Sequence, residues 1–316
     1  MKIKFQYMLM LILFVNINCK SQQDEISLIP KLLQNGPNII YNQFEEQTSN
    51  NFSLIGELLF YNVSTGKKIR LLNSTFSNTE IRLINNGKNL VLFRNNPFDK
   101  GKISIIYLSA QEYKTISFRK RLNFQNNIDD ISQFDIYNDS TIIFGFRDAI
   151  YTYGLNTDSL TLLKKFDNKR IGDILYDSKN KKLFFSYQIG LDTRMPKYFG
   201  FDLMEPDSIT LTNICFDCFG NISPNGKDIT MSTYYDTSVV YDVENNKATY
   251  YKFMDKNNNV DLVGPYFIND TTLLLSSFKL ETPENTDLYS FDLKTVKVLK
   301  KITDNHLKKS GIFVYF

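Results

Sequence analysis

A two-strand cadence returns along this chain at intervals of 40 to 50 residues. LLFYNVSTGKKIRLL, AIYTYGLNTDSLTLLKKF, SVVYDVENNKATYYKF and DLYSFDLKTVKVLKKI each alternate apolar and polar residues, pass through a short polar turn and alternate again. A period of two puts every second side chain on one face of a strand, so each stretch predicts an antiparallel hairpin. Aligned on one inward position, the units bring Tyr61, Ile106, Tyr153, Phe201, Tyr241 and Phe291 into register, with spacings of 45, 47, 48, 40 and 50 residues. Two residues later come Val63, Leu108, Leu155, Leu203, Val243 and Leu293. Two residues earlier come Leu59, Ser104, Tyr151, Phe199, Val239 and Tyr289, where only Ser104 breaks the apolar face. A hairpin with so apolar a face cannot bury it alone and must stack on copies of itself.

Most of these hairpins are preceded by another. EIRLINNGKNLVLFR, ISQFDIYNDSTIIFGF, GDILYDSKNKKLFFSY, GNISPNGKDITMST and GPYFINDTTLLLSSF all read strand, turn, strand. Four short strands in a little over forty residues is the period of a β-propeller blade, so the expectation is an all-β chain folded as one β-propeller with four-stranded antiparallel blades. A large β-sandwich or an open β-meander would carry similar hairpins. Six units can be counted. A seventh blade would arise if residues 26–48 and 306–316 formed one together. In the first unit IIYNQF is the best leading strand, and GIFVYF at the C-terminus is an orphan that could complete a blade begun at the other end. Such closure would remove a sheet edge.

The stretch ISPNGKDITM resembles the SPDGK-type turn of TolB-like and WD40-like propeller repeats, with Ser223, Pro224, Asn225, Gly226 and Lys227 in the pattern and Asn225 where that turn has Asp. The other units keep only turn formers there, such as Asn85-Asn86-Gly87 and Asn269-Asp270-Thr271. The resemblance implies a fold and carries no activity.

The first residues, MKIKFQYMLMLILFVNINC, join Lys2 and Lys4 to an apolar run from Met8 to Val15 and then Cys19. That run has the length of a signal-peptide core and is shorter than the ~20 residues needed to span a bilayer. A cysteine where cleavage would fall resembles a bacterial lipoprotein signal peptide. The resemblance implies removal of 1–18, lipid on Cys19, a polar tether over 19–29 and a propeller domain over 30–316. The protein would then be exported and lipid-anchored to the outer membrane of a Gram-negative cell, on its periplasmic or surface-exposed face. Losing Lys2 and Lys4 lowers the formal charge from +3 to +1. So little net charge argues against nucleic acid as a partner and leaves lipid as the anchor.

Chemistry is sparse. Cys215 and Cys218, in CFDC, would remain after lipidation of Cys19 and could form a disulfide, stay reduced, or serve a redox or metal site. The chain has a single histidine, His306, and no G-x-S-x-G, H-E-x-x-H or G-x-x-x-x-G-K-[ST] motif. No catalytic residue, metal or cofactor is expected. Asp139-Ser140-Thr141, Asp158-Ser159-Leu160, Asp207-Ser208-Ile209 and Asp270-Thr271-Thr272 resemble an O-glycosylation motif, but turn chemistry accounts for them equally. Longer insertions at 94–102, 190–201 and 279–287 fall between the second and third strands of their units, where a rigid ring usually carries binding. Phe98, Asp192, Arg194 and Lys197 are the contact residues they offer. The expectation is a lipid-anchored envelope propeller acting as a binding or scaffold module for a protein, peptide or glycan. The alternative is a propeller lyase or hydrolase with carboxylates and a cation at the channel mouth.

Overall fold

The computed structural model describes residues 24–44, 56–74, 79–94, 102–108, 110, 112–117, 134–189, 197–202, 209–233, 237–255, 260–278, 286–303 and 308–315. They form six antiparallel sheets. Blade 1 holds β1 (Asn38–Phe44), β2 (Gly56–Asn62) and β3 (Lys68–Ser74), and its fourth strand is the C-terminal β25 (Lys308–Tyr315). Blade 2 is β4 (Thr79–Ile84), β5 (Asn89–Arg94), β6 (Lys102–Tyr107) and β7 (Glu112–Ser117). Blade 3 is β8 (Phe134–Asn138), β9 (Thr141–Phe146), β10 (Ala149–Gly154) and β11 (Ser159–Lys165). Blade 4 is β12 (Lys169–Asp177), β13 (Lys182–Ile189), β14 (Lys197–Asp202) and β15 (Thr210–Phe216). Blade 5 is β16 (Cys218–Ile222), β17 (Asp228–Ser232), β18 (Ser238–Asp242) and β19 (Lys247–Tyr251). Blade 6 adds a three-residue strand, β20 (Phe253–Asp255), to β21 (Val260–Asn269), β22 (Thr272–Phe278), β23 (Leu288–Asp292) and β24 (Lys297–Lys301).

The inner strands touch in cyclic order: β25 to β4, β4 to β8, β8 to β12, β12 to β16, β16 to β21, and β21 back to β25. The ring is therefore a closed six-bladed β-propeller. Residues 26–48 and 306–316 do not make a seventh blade. Within them, β1 and β25 pair with each other, Ile39 opposite Val314 and Ile40 opposite Phe313, and complete the first blade.

Six core clusters fill the six gaps between neighbouring blades. Period-two alternation explains how one strand serves two of them. In β9, Ile142, Phe144 and Phe146 pack toward blade 2, while Ile143 packs toward blade 4. In β13, Phe184 faces blade 5, while Leu183, Phe185 and Tyr187 face blade 3. Second strands are thus apolar on both faces and read as unbroken runs such as TIIFGF and KLFFSYQI. The outer strands are covered on one side only, and in β11 only Leu160 and Lys164 are half-buried while Leu162 and Leu163 are exposed. The aligned register holds: Ile106, Tyr153, Phe201, Tyr241 and Phe291 are all buried third-strand residues.

Antiparallel order fixes two faces of the ring. The turn face carries the links from inner to second strands and from third to outer strands. The loop face carries the links from second to third strands and from each blade to the next. The domain begins earlier than the expected boundary at residue 30. Ile26 and Ile29 are buried in the cluster between blades 1 and 2, so the end of the segment assigned to a tether over 19–29 is packed onto the ring through these two side chains. A one-turn helix, α1 (Ile29–Leu33), follows on the turn face. Glu25 meets Lys67 at 3.0 Å, and the Asn62 side-chain amide donates to the Leu32 carbonyl. Gly87, with φ of +77°, sits so close to Ile29 and Leu33 that a Cβ there would lie within 2.8 Å of both. No helix among the described residues is long and apolar enough to cross a membrane.

Candidate functional site

A cavity of about 570 Å³ lies at the turn-face end of the central channel. Arg82 of β4, Asp135 of β8, Leu175 and Tyr176 of β12, Asn221 of β16 and Val314 of β25 line it, with the turn residues Asp177–Lys179 and Ser223–Pro224 at its rim. Every one of these strands is an inner strand, which is why residues far apart in sequence converge there.

Arg82 and Asp135 are the charged pair of the wall. Arg82 is only 4% exposed. Its Nε donates to Asp135 Oδ1 at 3.0 Å, its Nη1 donates to the Ile81 carbonyl at 3.0 Å, and its guanidinium lies 5.5 Å from the Phe134 ring centre. Asp135 Oδ1 also accepts from the Ile136 amide at 2.8 Å, and Oδ2 accepts from the Tyr176 amide at 2.8 Å. One carboxylate thereby joins blades 2, 3 and 4. A charge held this deep is tolerable only when paired and hydrogen-bonded, and losing one partner would strand the other. Asn221 plays the neutral counterpart between blades 5 and 6. Its Oδ1 accepts from the Phe267 amide at 2.6 Å and its Nδ2 donates to the Phe267 carbonyl at 3.0 Å. Beside it, Gly220 lets the backbones meet, since a Cβ there would fall 2.0 Å from the Pro265 carbonyl oxygen. Tyr176 stacks on Tyr137 with ring centres 4.9 Å apart, and burial followed by the neighbouring Tyr137 pushes its phenol pKa up.

The rim turns interlock. Ser223 Oγ donates to Asn225 Oδ1 and accepts from the Asp228 amide, which builds the SPNGK turn. The Asn225 amide donates to Asp270 of blade 6, and Lys182 Nζ of blade 4 donates to the Gly226 carbonyl. The Asp-Ser/Thr triplets within the described residues are turn elements of this kind: Ser140 and Thr271 donate their amides to Asn138 and Asn269.

Asp177, Ser178, Arg82 and Asp135 were not expected at a site. Arg82 and Asp135 stand 53 positions apart, with no local motif, so only ring closure identifies them. Of the residues expected from sequence, Cys19, Phe98, Asp192, Arg194 and His306 lie outside the described residues. Lys197 opens β14 at the loop face, opposite Phe216. Cys215 and Cys218 are thiols, and the anticipated disulfide between them is not formed. Strands run through the motif: Cys215 is paired with Tyr198 in the outer strand of blade 4, and Cys218 starts the inner strand of blade 5. The motif thus belongs to two sheets rather than one loop. Cys215 is half-buried, which pushes its thiol pKa up, and Cys218 is exposed. Among the described residues, no three His, Cys, Asp or Glu side chains group to hold a metal ion.

The fold is shared with solved structures. A chain from the crystal structure of a nidogen/laminin complex superposes with a TM-score of 0.59 at 11% identity, covering 89% of this chain and 99% of that one. TolB from Acinetobacter baumannii matches with a TM-score of 0.59 at 11% identity, over 88% of this chain and 66% of the TolB chain. The chain thus spans just under two thirds of that TolB. No protein-family model and no curated protein matches the sequence. At such identities the likeness is one of fold: a six-bladed propeller of the kind TolB contains.

Proposed function

We propose that this protein is a binding propeller of the cell envelope, held to the outer membrane by lipid on Cys19. It docks a protein, peptide or glycan, with Phe98, Asp192, Arg194 and Lys197 as the contact residues expected from the sequence. The observation that carries the reading is the commitment of the polar groups at the centre. Arg82, Asp135 and Asn221 join neighbouring blades, which suits a rigid platform rather than a reaction centre. The nidogen/laminin structure adds support, because one of its chains is a propeller of this size within a protein complex. The leader supports the anchor through its short apolar run and Cys19.

A second reading, a lyase or hydrolase at the channel mouth, draws on Arg82, Asp135 and Asp177 meeting at one cavity. Asp135, however, commits its carboxylate to three hydrogen bonds that tie blades 2, 3 and 4 together.

The test is affinity purification of the tagged full-length chain from detergent-solubilised native membranes, beside Cys19→Ser. Defined envelope components should accompany the wild type and be lost with Cys19→Ser. A wild type recovered alone from the membrane would remove the binding reading.

A further inference from the structure

The anchor and the fold together determine which way the ring faces. From Asp24 onward the chain is fastened to the turn face, by the Glu25–Lys67 ion pair and by burial of Ile26 and Ile29. Five residue steps separate Cys19 from Asp24 in the sequence. Fully extended, such a segment reaches about 18 Å. A seven-residue blade strand such as β2 alone rises about 20 Å from its first residue to its last. A lipid on Cys19 therefore reaches a bilayer lying against the turn face. With the loop face turned to the membrane, even a fully stretched tether falls short.

The turn face near the anchor suits a lipid surface. Leu28 is 41% exposed beside α1, an apolar side chain placed where the leader meets the ring. Lys31 and Lys88 lie on the same side in blades 1 and 2, and Lys67 is there in its pair with Glu25. An apolar side chain among lysines fits the boundary of acyl chains and anionic headgroups.

We infer that the turn face is the membrane-facing side of this protein, with lipid headgroups as its partner, and that the loop face points away from the bilayer. The inference rests on the lipid anchor of the proposed function. It places the channel-mouth cavity on the membrane side. Cys218, which opens β16 on the loop face, is then on the side open to a partner.

The test uses the full-length acylated protein in a Cys215→Ser/Cys218→Ser background, with one probe cysteine at a time. Lys88→Cys marks the turn face, and Asp167→Cys marks the loop face at the link from blade 3 to blade 4. Each is labelled with an environment-sensitive fluorophore and reconstituted into phosphatidylethanolamine/phosphatidylglycerol vesicles carrying headgroup spin-labelled lipid. The Lys88 probe should be quenched several-fold more than the Asp167 probe, and both should lose quenching when Cys19 is Ser. Equal quenching, or stronger quenching at Asp167, in a protein whose N-terminal peptide carries acyl chains by mass spectrometry overturns the orientation alone. An N-terminal peptide without acyl chains overturns the orientation and the anchor together.

Discussion

Tyr153 of blade 3 donates its hydroxyl to Asp158, and Tyr241 of blade 5 donates to Asn246. In both cases the acceptor is the left-handed residue of the following turn, with φ of 54° at Asp158 and 50° at Asn246. Blade 1 uses Gly66 at that turn position, φ 70°. Blade 6 departs: Phe291 has no hydroxyl to donate, and the left-handed position is Val296, φ 55°. A β-branched side chain is strained there, whereas Asn tolerates the conformation. Val296→Asn should stabilise the protein by about 1 kcal/mol, read as a raised urea midpoint at unchanged slope. Pairing it with Phe291→Tyr restores the hydrogen bond as well. Burial, then Asp242, Asp270 and Glu244, push the Asp228 carboxyl pKa up. A carboxyl raised in the folded state costs stability increasingly as pH climbs from its unfolded value of ~3.9 to the raised one, in full above that, and has no effect well below the unfolded value. Asp228→Asn should therefore raise the urea midpoint at neutral pH and leave it unchanged near pH 3. Equal gains at both pH values would show that charge is not the cause. Residues of this kind were half legible. The inward positions followed from period two, but the Arg82–Asp135 pair could not, because its partners belong to different blades and neither sits in a motif.

Among the elements, the pairing of β25 with β1 holds the ends of the chain in one sheet. Ile312 of β25 is buried against Ile39, Tyr41 and Ile268, so the strand also seals the gap between blades 6 and 1. Ending the chain at Thr303 strips β1 of its partner and leaves an exposed edge that can template association. Such a truncation should lose its single cooperative melt and self-associate by size-exclusion chromatography. A monomer with an unchanged melting temperature would contradict the closure. Sequence indicated both strands, IIYNQF and GIFVYF, because each alternates or runs apolar by itself. It left blade number between six and seven because pairing across the whole chain length leaves no local trace. The three residues of β20 give no periodic signal at all, and CFDC does not declare its two strands because a break between sheets looks like a turn in one dimension. The start of the core is late in the sequence reading because Ile26 lies between Glu25 and Ser27 and no strand alternation runs through the residues around Ile29.

The whole molecule is a closed ring whose central polar groups tie blade to blade and whose two faces differ in what they carry. The orientation inferred for it rests on how residues from Glu25 onward are fastened, which was invisible in the sequence because the contacts of Glu25 and Ile29 are made with turns of blades 1 and 2. The proposed binding role assigns the partner to the loop face. The most direct measurement is co-purification of envelope components with full-length protein carrying Asp192→Ala and Arg194→Ala, compared with Lys88→Ala and Lys179→Ala on the turn face, all at equal membrane abundance. Loss of partner at least ten-fold with the loop-face pair, and retention with the turn-face pair, is the expected result. Retention with the loop-face pair and loss with the turn-face pair would contradict it and move binding to the channel mouth.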